Sequence, residues 1–465
     1  MLTDESIASL AGKLKSKDIS PVDIAKQCLE QIEKLNPTIN AFITKVDSKA
    51  VLDQAKKVKL TTPLSGIPYV LKDAYLTKDL HTTAGSNVLS NYIPEYEATV
   101  VHKVNSAGAI LLGKMNMDAW GHGGSTENTD YGPTKNPWDI TRVPGGSGGG
   151  PAAAIAARMC SFAIGEDTGG SIRNPAGWCG ITGLKVTYGR VSRYGSIAYA
   201  SSFDTVGPTA KTAEDCALIL QHIAGQDPYD ATSSPLPMGD YLSHIKQGVK
   251  GKTIGIPKEF MSEGLDSEVR QLVLQAAKQF TDLGAKVEEV SLPTSKYAIS
   301  VYYLLAPSET SSNLARYDGI RYGNGRDKFT PETMRRIMIG TYALSAGYYD
   351  AYYKKAQQAR TLIIQDYEKV FSGCDMILSP VSPTPPTKLG ELISDPVKNM
   401  LADIYTVTTN TAGIPALALP CGFTKTGLPV GMQLQGPMFS EELLLQTGYA
   451  YQQVTDHHVQ KPQLS

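Results

Sequence analysis

Apolar residues recur at helical spacing near the start of the chain. Ser20, Pro21 and Asp23 are typical of a helix N-terminus, with an N-cap, a proline at the first helical position and a capping-box acid. The apolar positions that follow recur every three or four residues: Ala25, Cys28, Ile32 and Leu35. The pattern predicts that residues 1–60 form a helical segment packed on the core of the protein.

Short apolar runs bounded by glycine follow this segment, at residues 66–71 (GIPYVL), 109–113 (AILLG) and 161–165 (SFAIG). Such runs predict strands buried on both faces. Later segments continue the alternation: strands at 253–257, 286–290, 374–380, 416–420 and 430–435, a helix at about 266–283, and helices within 331–371. The pattern predicts an α/β fold with a large mixed sheet between helical layers, residues 61–465 forming one continuous domain with the first sixty.

Composition and charge remove several function classes. The 465 residues carry 44 Lys and Arg against 45 Asp and Glu, a formal net charge of −1 with no block of one sign, so non-specific nucleic-acid or membrane binding has no electrostatic support. The polar start and the lack of an 18-residue apolar run predict a soluble protein that is not exported. Six scattered cysteines without a CxxC pair and seven histidines without HExxH argue against a disulfide framework or a metal site.

Two glycine-rich loops contain serine. The first, residues 144–151 (PGGSGGGP), precedes a small-residue helix at 152–157, and the second is residues 167–175 (DTGGSIRNP). Glycine allows successive peptide N–H groups to converge on one point. The second loop therefore predicts a nucleophile, Ser171, beside an oxyanion hole formed by the N–H groups of Thr168, Gly169, Gly170 and Ser171.

A serine nucleophile needs a base, and no histidine lies in or near either loop. Lys72 follows the apolar run 66–71, which is expected to bury it, and burial favours the neutral amine. Ser147 then relays a proton between Lys72 and Ser171.

Other interpretations of the loops stay open at this point. Residues 145–149 match the GxSxG nucleophile elbow, which would make Ser147 the nucleophile, but the segment before it does not look like a strand. The same loop before a helix also suits phosphate, although no GK[ST] ending follows. Purely structural glycine turns explain the loops as well as catalysis does.

The order of three motifs resembles the amidase-signature family: residues 66–73 (GIPYVLKD), 144–147 (PGGS) and 167–173 (DTGGSIR). The resemblance runs from about residue 6 to residue 451 and places the family's Ser–cis-Ser–Lys triad on Ser171, Ser147 and Lys72. Four further stretches are most similar to the A subunits of tRNA-dependent amidotransferases: residues 124–128, 188–195, 311–319 and 340–349.

The resemblance implies an enzyme that hydrolyses glutamine through an acyl-enzyme. Ammonia would pass to a B subunit that holds Glu-tRNA(Gln) or Asp-tRNA(Asn) and uses ATP and Mg, a C subunit would clasp both, and this chain would need no cofactor. The location implied is the cytoplasm or an organelle matrix. Residues that match the substrate-binding positions are Ser125, Tyr302, Arg336 and Asp403. The alternatives are a stand-alone amidase acting on small amides and a scaffold subunit with weakened catalysis.

The chain departs from the family pattern in three places. Gly148 and Pro151 stand where the signature loop usually has serine, and residues 322–335 look shorter than in A subunits. Pro151 suits a helix start, whereas Gly148 removes a hydroxyl beside the relay serine and puts the positioning of Ser147 in question.

Overall fold

The computed structural model describes residues 1–464 as an α/β fold around one eleven-stranded mixed sheet. The strands are β1 Phe42–Lys45, β2 Pro68–Lys72, β3 Ile110–Met115, β4 Phe162–Asp167, β5 Thr182–Lys185, β6 Thr205–Ala210, β7 Thr253–Pro257, β8 Lys286–Val290, β9 Met376–Pro380, β10 Ala416–Phe423 and β11 Pro429–Gln435. Their order is β1-β3-β2-β4-β6-β5-β10-β11-β9-β7-β8. The predicted α/β class with a mixed sheet is confirmed.

Fourteen α-helices surround the sheet within the described residues. They are α1 Ile7–Ser16, α2 Pro21–Ile39, α3 Ser48–Lys57, α4 Thr99–Ser106, α5 Gly149–Ala156, α6 Arg173–Cys179, α7 Ala213–Ile223, α8 Ser267–Asp282, α9 Ala298–Asn313, α10 Pro331–Leu344, α11 Lys355–Phe371, α12 Pro396–Leu401, α13 Val407–Ala412 and α14 Glu441–Gln452. A π-helical turn, Tyr349–Lys354, leads into α11.

The capping signal at the start of α2 forms as predicted. The Asp23 N–H donates to Ser20 Oγ at 3.3 Å, and the Ser20 N–H donates to the Asp23 carboxylate at 2.8 Å. These bonds satisfy backbone groups that a helix end leaves without partners. The predicted apolar face is buried, including Cys28 and Ile32, so α2 packs on the core as its spacing indicates.

Parallel pairing places the ends of two strands together. Strand β2 lies between β3 and β4 and runs parallel to both, with Leu71 opposite Ile164 of β4. The strand–helix–strand unit predicted at residues 253–290 is also present, because β7 and β8 pair in parallel around α8. Since parallel strands end at the same edge of a sheet, the residues that end β2 and follow β4 meet there.

Three strands were not predicted. Strand β1 interrupts the segment expected to be helical and pairs antiparallel with β3, so residues 1–60 contribute a strand to the sheet as well as helices. Strands β5 and β6 pair with each other and join the β4 side of the sheet to β10. Within residues 1–464, no helix is both long enough and apolar enough to cross a membrane.

Candidate active site

Lys72 is the last residue of β2, a strand buried along its whole length. The Lys72 side chain is 0% exposed, and its Nζ donates to Ser147 Oγ at 2.7 Å. The apolar run before it therefore carries Lys72 into the interior, as expected from the sequence. The amine reaches the hydroxyl group that a proton relay would use.

The loop before α5 presents Ser147 through backbone contacts. The Gly146–Ser147 peptide is cis, and the Ser147 carbonyl accepts from the Asp118 N–H at 3.2 Å. The Thr126 hydroxyl donates to the Gly145 carbonyl at 2.8 Å, and the Asp118 carboxylate accepts from the Thr126 N–H at 2.8 Å. The residues 118–126 thereby hold the loop against the end of β2.

The turn after β4 carries Ser171 and is fixed by a buried ion pair. Asp167, the last residue of β4, accepts two hydrogen bonds of 3.0 Å from the Arg173 guanidinium. Burial alone would raise the pKa of Asp167, but the charge and hydrogen bonds of Arg173 outweigh it and bring the pKa to about 2. The Gly148 N–H donates to the Ser171 carbonyl at 3.2 Å, so the two glycine-rich loops are in direct contact.

The predicted oxyanion donors do not behave alike. The Gly170 N–H donates to Asp167 Oδ1 at 2.9 Å, so this group is already engaged. No acceptor within residues 1–464 is bonded to the N–H groups of Thr168, Gly169 or Ser171. Those three groups are therefore unengaged in this conformation, while Gly170 shapes the turn with φ of +135°.

Three of the predicted substrate residues, Tyr302, Arg336 and Asp403, belong to one buried network. The Arg336 guanidinium donates to Tyr199 OH at 2.6 Å and lies over the Tyr303 ring, 4.8 Å from its centroid. Tyr303 OH donates to Asp403 Oδ2 at 2.9 Å, which connects the arginine to the acid. Tyr302 OH lies 3.4 Å from Tyr199 OH. Arg336 and Asp403 are 3% and 9% exposed, so neither is a solvated helix-surface charge.

Packing brings this network to the glycine-rich turn. A Cβ atom on Gly169 would meet Tyr302 OH at 2.5 Å, so this tyrosine lies against the predicted oxyanion hole. Burial raises the pKa of Asp403 to about 7, although the hydrogen bond from Tyr303 and the charge of Arg336 oppose the shift. Asp403 is therefore a buried acid whose charge changes near neutral pH.

Ser125 lies beside the loop that carries Ser147. A Cβ on Gly146 would lie 2.4 Å from the Ser125 nitrogen, and one on Gly124 would lie 3.8 Å from Asp403 Oδ1. A cavity of about 210 Å³ is lined by Ser125 together with Glu332 and Asn399. Of the predicted substrate residues, Ser125 and Tyr302 thus lie against the two glycine-rich loops, and Ser125 also lines this cavity.

Several neighbours of the site were missed by sequence reasoning. Glu166 Oε2 lies 2.9 Å from Lys72 Nζ, and Glu332 Oε1 lies 2.8 Å from the Arg336 Nε. Glu166 stands one residue before the recognised 167–175 motif, and Glu332 lies four residues before Arg336 in α10, a spacing typical of helical ion pairs. That spacing could have indicated from the sequence that Glu332 pairs with Arg336.

The departures in the signature loop have local explanations. A Cβ on Gly148 would lie 2.6 Å from the Ser171 carbonyl oxygen, so any side chain here requires the backbone to shift. Pro151 lies in the first turn of α5, where its missing N–H costs no intrahelical bond. Between β3 and Ser147 the chain forms a short 3-10 helix, Ala119–Gly121, and otherwise loops, so the strand that a nucleophile elbow needs is not there.

Comparison with known proteins supplies the family. Residues 23–445 match the Amidase family. The chain belongs to this amidase family. The sequence-based assignment is confirmed, and with it the expectation of an enzyme of the amidase-signature hydrolase type.

Similar amidases span the whole chain. The A subunit of glutamyl-tRNA(Gln) amidotransferase from Desulfatibacillum aliphaticivorans is 49% identical, covering 100% of each chain. The crystal structure of the protein of the same name from Thermotoga maritima is 39% identical with a TM-score of 0.87, covering 99% of this chain and 98% of that one. A peptide amidase from Stenotrophomonas maltophilia is 27% identical with a TM-score of 0.82, covering 96% of both chains. The amidase fold is thus common to relatives with different named activities.

Among residues 1–464, no cluster of three or more His, Cys, Asp or Glu side chains is arranged to hold a metal ion. The polar groups of the site are instead matched to one another, as in the pairs of Lys72 with Glu166 and Asp167 with Arg173.

Proposed function

We propose that this amidase is the glutamine-hydrolysing A subunit of a tRNA-dependent amidotransferase that converts Glu-tRNA(Gln) or Asp-tRNA(Asn) to the amide form. Two observations support the proposal: Arg336 and Asp403 are both buried and joined through Tyr303, and Lys72 bonds to Ser147 in the loop that contacts the Ser171 turn. An arginine fork suits a carboxylate, and an aspartate suits an ammonium, so together they match the zwitterionic end of a free amino acid. The full-length similarity to named A subunits supports the same function.

The chemistry proceeds through an acyl-enzyme. Ser171 Oγ attacks the side-chain carbonyl of glutamine, its proton passes to Ser147 Oγ, and Ser147 gives its own proton to the neutral Lys72 amine. The N–H groups of Thr168, Gly169 and Ser171 stabilise the oxyanion. The proton returns through Ser147 to the leaving nitrogen, and ammonia departs. Water then hydrolyses the acyl-enzyme by the same route and releases glutamate.

Substrate recognition falls to residues around the turn. Arg336 binds the α-carboxylate, Asp403 binds the α-ammonium, and Ser125 and Tyr302 line the path between them and the nucleophile. Glutamine is held at a fixed distance from the oxyanion donors, because Ser125 and Tyr302 lie against the loops that carry Ser147 and Gly169. A hydrolase of simple uncharged amides has no need of two buried, oppositely charged groups here.

Removing either charged group should raise the KM for glutamine. We expect Asp403→Asn and Arg336→Ala each to raise it about 30- to 1,000-fold, since a lost charged contact is worth about 2–4 kcal/mol. Steady-state kinetics with glutamine and with propionamide as a matched uncharged amide separate the outcomes. Any propionamide hydrolysis should survive both changes; equal losses on both amides indicate structural roles, and no loss on glutamine moves the assignment to a stand-alone amidase.

The KM for glutamine should also depend on pH through Asp403. Because burial raises the pKa of Asp403 to about 7 in the free enzyme, its carboxylate form predominates only above that value. An ammonium ligand binds the carboxylate, so KM should fall as pH rises through about 7. The Asp403→Asn variant serves as the control, and the same fall in that variant would assign the ionisation to another group.

Partner subunits are the second half of the proposed function. A B subunit would hold the tRNA and use ATP and Mg, and a C subunit would clasp both chains, while this chain carries no cofactor of its own. An exposed aromatic cluster supports assembly with another protein: Tyr342, Tyr348 and Tyr352 are 39–51% exposed and pack on one another with ring centroids 4.2–6.3 Å apart. Aromatic residues of this kind are enriched in protein interfaces.

Ammonia release by the isolated chain is expected to be slow and to increase with partners and acceptor tRNA. A glutaminase that is not coupled to the transfer step would consume glutamine without forming amidated tRNA, so coupling favours a low basal rate. The measurement compares glutamine turnover by the chain alone, with B and C subunits, and with the charged tRNA added. Turnover that stays the same in all three mixtures favours the stand-alone amidase.

A further inference from the structure

A buried carboxylate faces the amine that the proposed mechanism uses as its base. Lys72 Nζ lies 2.9 Å from Glu166 Oε2 on one side and 2.7 Å from Ser147 Oγ on the other. Lys72 is 0% exposed and Glu166 is 2% exposed, so water screens this pair very little. The amine is therefore held between the relay hydroxyl and a negative charge that the proposed mechanism leaves without a role.

A second acid lies behind Glu166 and is joined to it through a residue of the oxyanion turn. The Thr168 hydroxyl donates to Asp204 Oδ1 at 2.7 Å and lies 3.3 Å from Glu166 Oε1. Burial, and then the negative charge of Glu166, raise the pKa of Asp204 to about 8. Of the two acids, Glu166 is the one that contacts the Lys72 amine.

Two other titratable groups face this cluster. Tyr75 OH donates to the Gly165 carbonyl at 2.6 Å, and burial raises the pKa of this phenol well above its usual range, so Tyr75 stays neutral. Burial raises the pKa of Asp118 to about 7, but its two oxygens accept from the N–H groups of Thr126 and Asn128. Of these groups, only Glu166 is bonded to the Lys72 amine.

We propose that Glu166 is a positioning residue of the proton relay, which holds the Lys72 amine against Ser147 and sets the pH at which that amine is free to accept a proton. The proposal rests on the proposed nucleophilic role of Ser171. Glu166 exchanges no proton in this role: the proton of Ser171 passes to Ser147 and that of Ser147 passes to Lys72, and when the leaving group departs Ser147 protonates it and regains a proton from Lys72.

The charge of Glu166 has two opposite effects on the reaction. An adjacent carboxylate favours the ammonium form of a lysine, so a smaller fraction of the amine is free at low pH. The same carboxylate stabilises the ammonium that forms when Ser147 transfers its proton, which makes the free amine a stronger acceptor. Removing only the charge should therefore move activity to lower pH while lowering the maximum rate.

The test uses Glu166→Gln, whose amide oxygen can still accept from Lys72 but carries no charge. The rate at which an alkyl fluorophosphonate labels Ser171 is measured from pH 5 to 10; the Ser171 oxygen bonds to phosphorus, fluoride leaves, and the relay takes the proton. We expect the midpoint of the pH profile to fall by about 1–3 units, the usual effect of an opposite charge nearby. Glu166→Asp keeps the charge, so its midpoint should stay near that of the unchanged protein even where its rate is lower.

A matched control removes a different buried carboxylate. Asp73 adjoins Lys72 in the chain but pairs with Lys114, at 3.0 Å between Oδ1 and Nζ. Asp73→Asn should leave the midpoint where it is, even if the protein becomes less stable. A midpoint that moves equally in both variants would trace the shift to general loss of negative charge and overturn the specific role of Glu166.

Other outcomes also decide the matter. An unchanged midpoint in Glu166→Gln overturns the proposal while leaving Ser171 as the nucleophile. If Glu166→Gln does not fold, Glu166→Ala, which removes the same charge, is tested in its place. If neither variant folds, the role of Glu166 is structural and the proposal is overturned. Because the probe is not an amide, the test holds whichever amide is the substrate. Ser171 remaining unlabelled at every pH would remove the nucleophile, and the role of Glu166 with it.

Discussion

Ser171→Ala is expected to reduce amide hydrolysis on the order of 10⁵-fold while the chain stays folded. In the proposed mechanism Ser171 forms the acyl-enzyme, and loss of a serine nucleophile removes most of the catalytic rate. The Ser171 hydroxyl makes no hydrogen bond within residues 1–464 and Ser171 is 8% exposed, so alanine leaves no partner unsatisfied. Ammonia release from glutamine and the thermal unfolding temperature measure the two effects.

The site of covalent attachment distinguishes the alternatives to this mechanism. An electrophilic glutamine analogue should attach to Ser171, which mass spectrometry of the digested protein identifies. An adduct on Ser147 would support the nucleophile-elbow interpretation. A protein that forms no adduct and releases no ammonia, even with its partners, would be the catalytically weakened scaffold subunit.

The predictable part of the fold is the part whose signal is local. Strands β2, β3 and β4 are apolar runs because both faces of the sheet are covered there. Their burial is therefore visible in the sequence itself. Strands β5 and β6, with the sequences TGLK and TVGPTA, contain glycine, proline and threonine and show neither a run nor an alternation. Their pairing comes from neighbours distant in the chain, which short-range patterns do not contain.

The same division applies to the site. The burial of Lys72 was predictable because an apolar strand leads into it, and the loops that carry Ser147 and Ser171 stand out by their glycine content. Glu166 lies 94 positions from Lys72, and only the pairing of β2 with β4 brings the two together. Nothing in the residues around Glu166 indicates that its side chain reaches the amine.

The two adjacent arginines of α10 differ in a way that only the structure shows. Arg335 is 41% exposed and forms a salt bridge with Glu332, as a solvated basic pair would. Arg336, one position on, turns about 100° around the helix and is 3% exposed between Tyr199 and Tyr303. The sequence alone does not decide which of the two faces inward, because an apolar residue flanks the pair on each side, Met334 before it and Ile337 after it.

Lys72→Arg should be nearly inactive, with a loss on the order of 10³-fold or more. A guanidinium keeps its proton at every working pH and has no acceptor, so it cannot take a proton from Ser147. Because the proposed mechanism requires a neutral amine, the rate of the unchanged protein should rise with pH, whereas the arginine variant should show no such rise. Initial rates of glutamine hydrolysis from pH 5 to 10 measure both.

Size is the rival explanation for such a loss, and the chain offers a control for it. Lys114 is also a fully buried lysine paired with a carboxylate, on the neighbouring strand β3, but it bonds to the Tyr75 carbonyl and the Thr82 hydroxyl and does not contact the triad. Lys114→Arg introduces the same extra volume and keeps the charge, so it should lose stability more than catalysis. If Lys72→Arg retained normal activity, Lys72 would have no part in the mechanism; if Lys114→Arg were equally inactive though folded, the loss at Lys72 would reflect bulk. Activity lost only at Lys72, together with the pH dependence, leaves proton acceptance as the function that arginine cannot perform there.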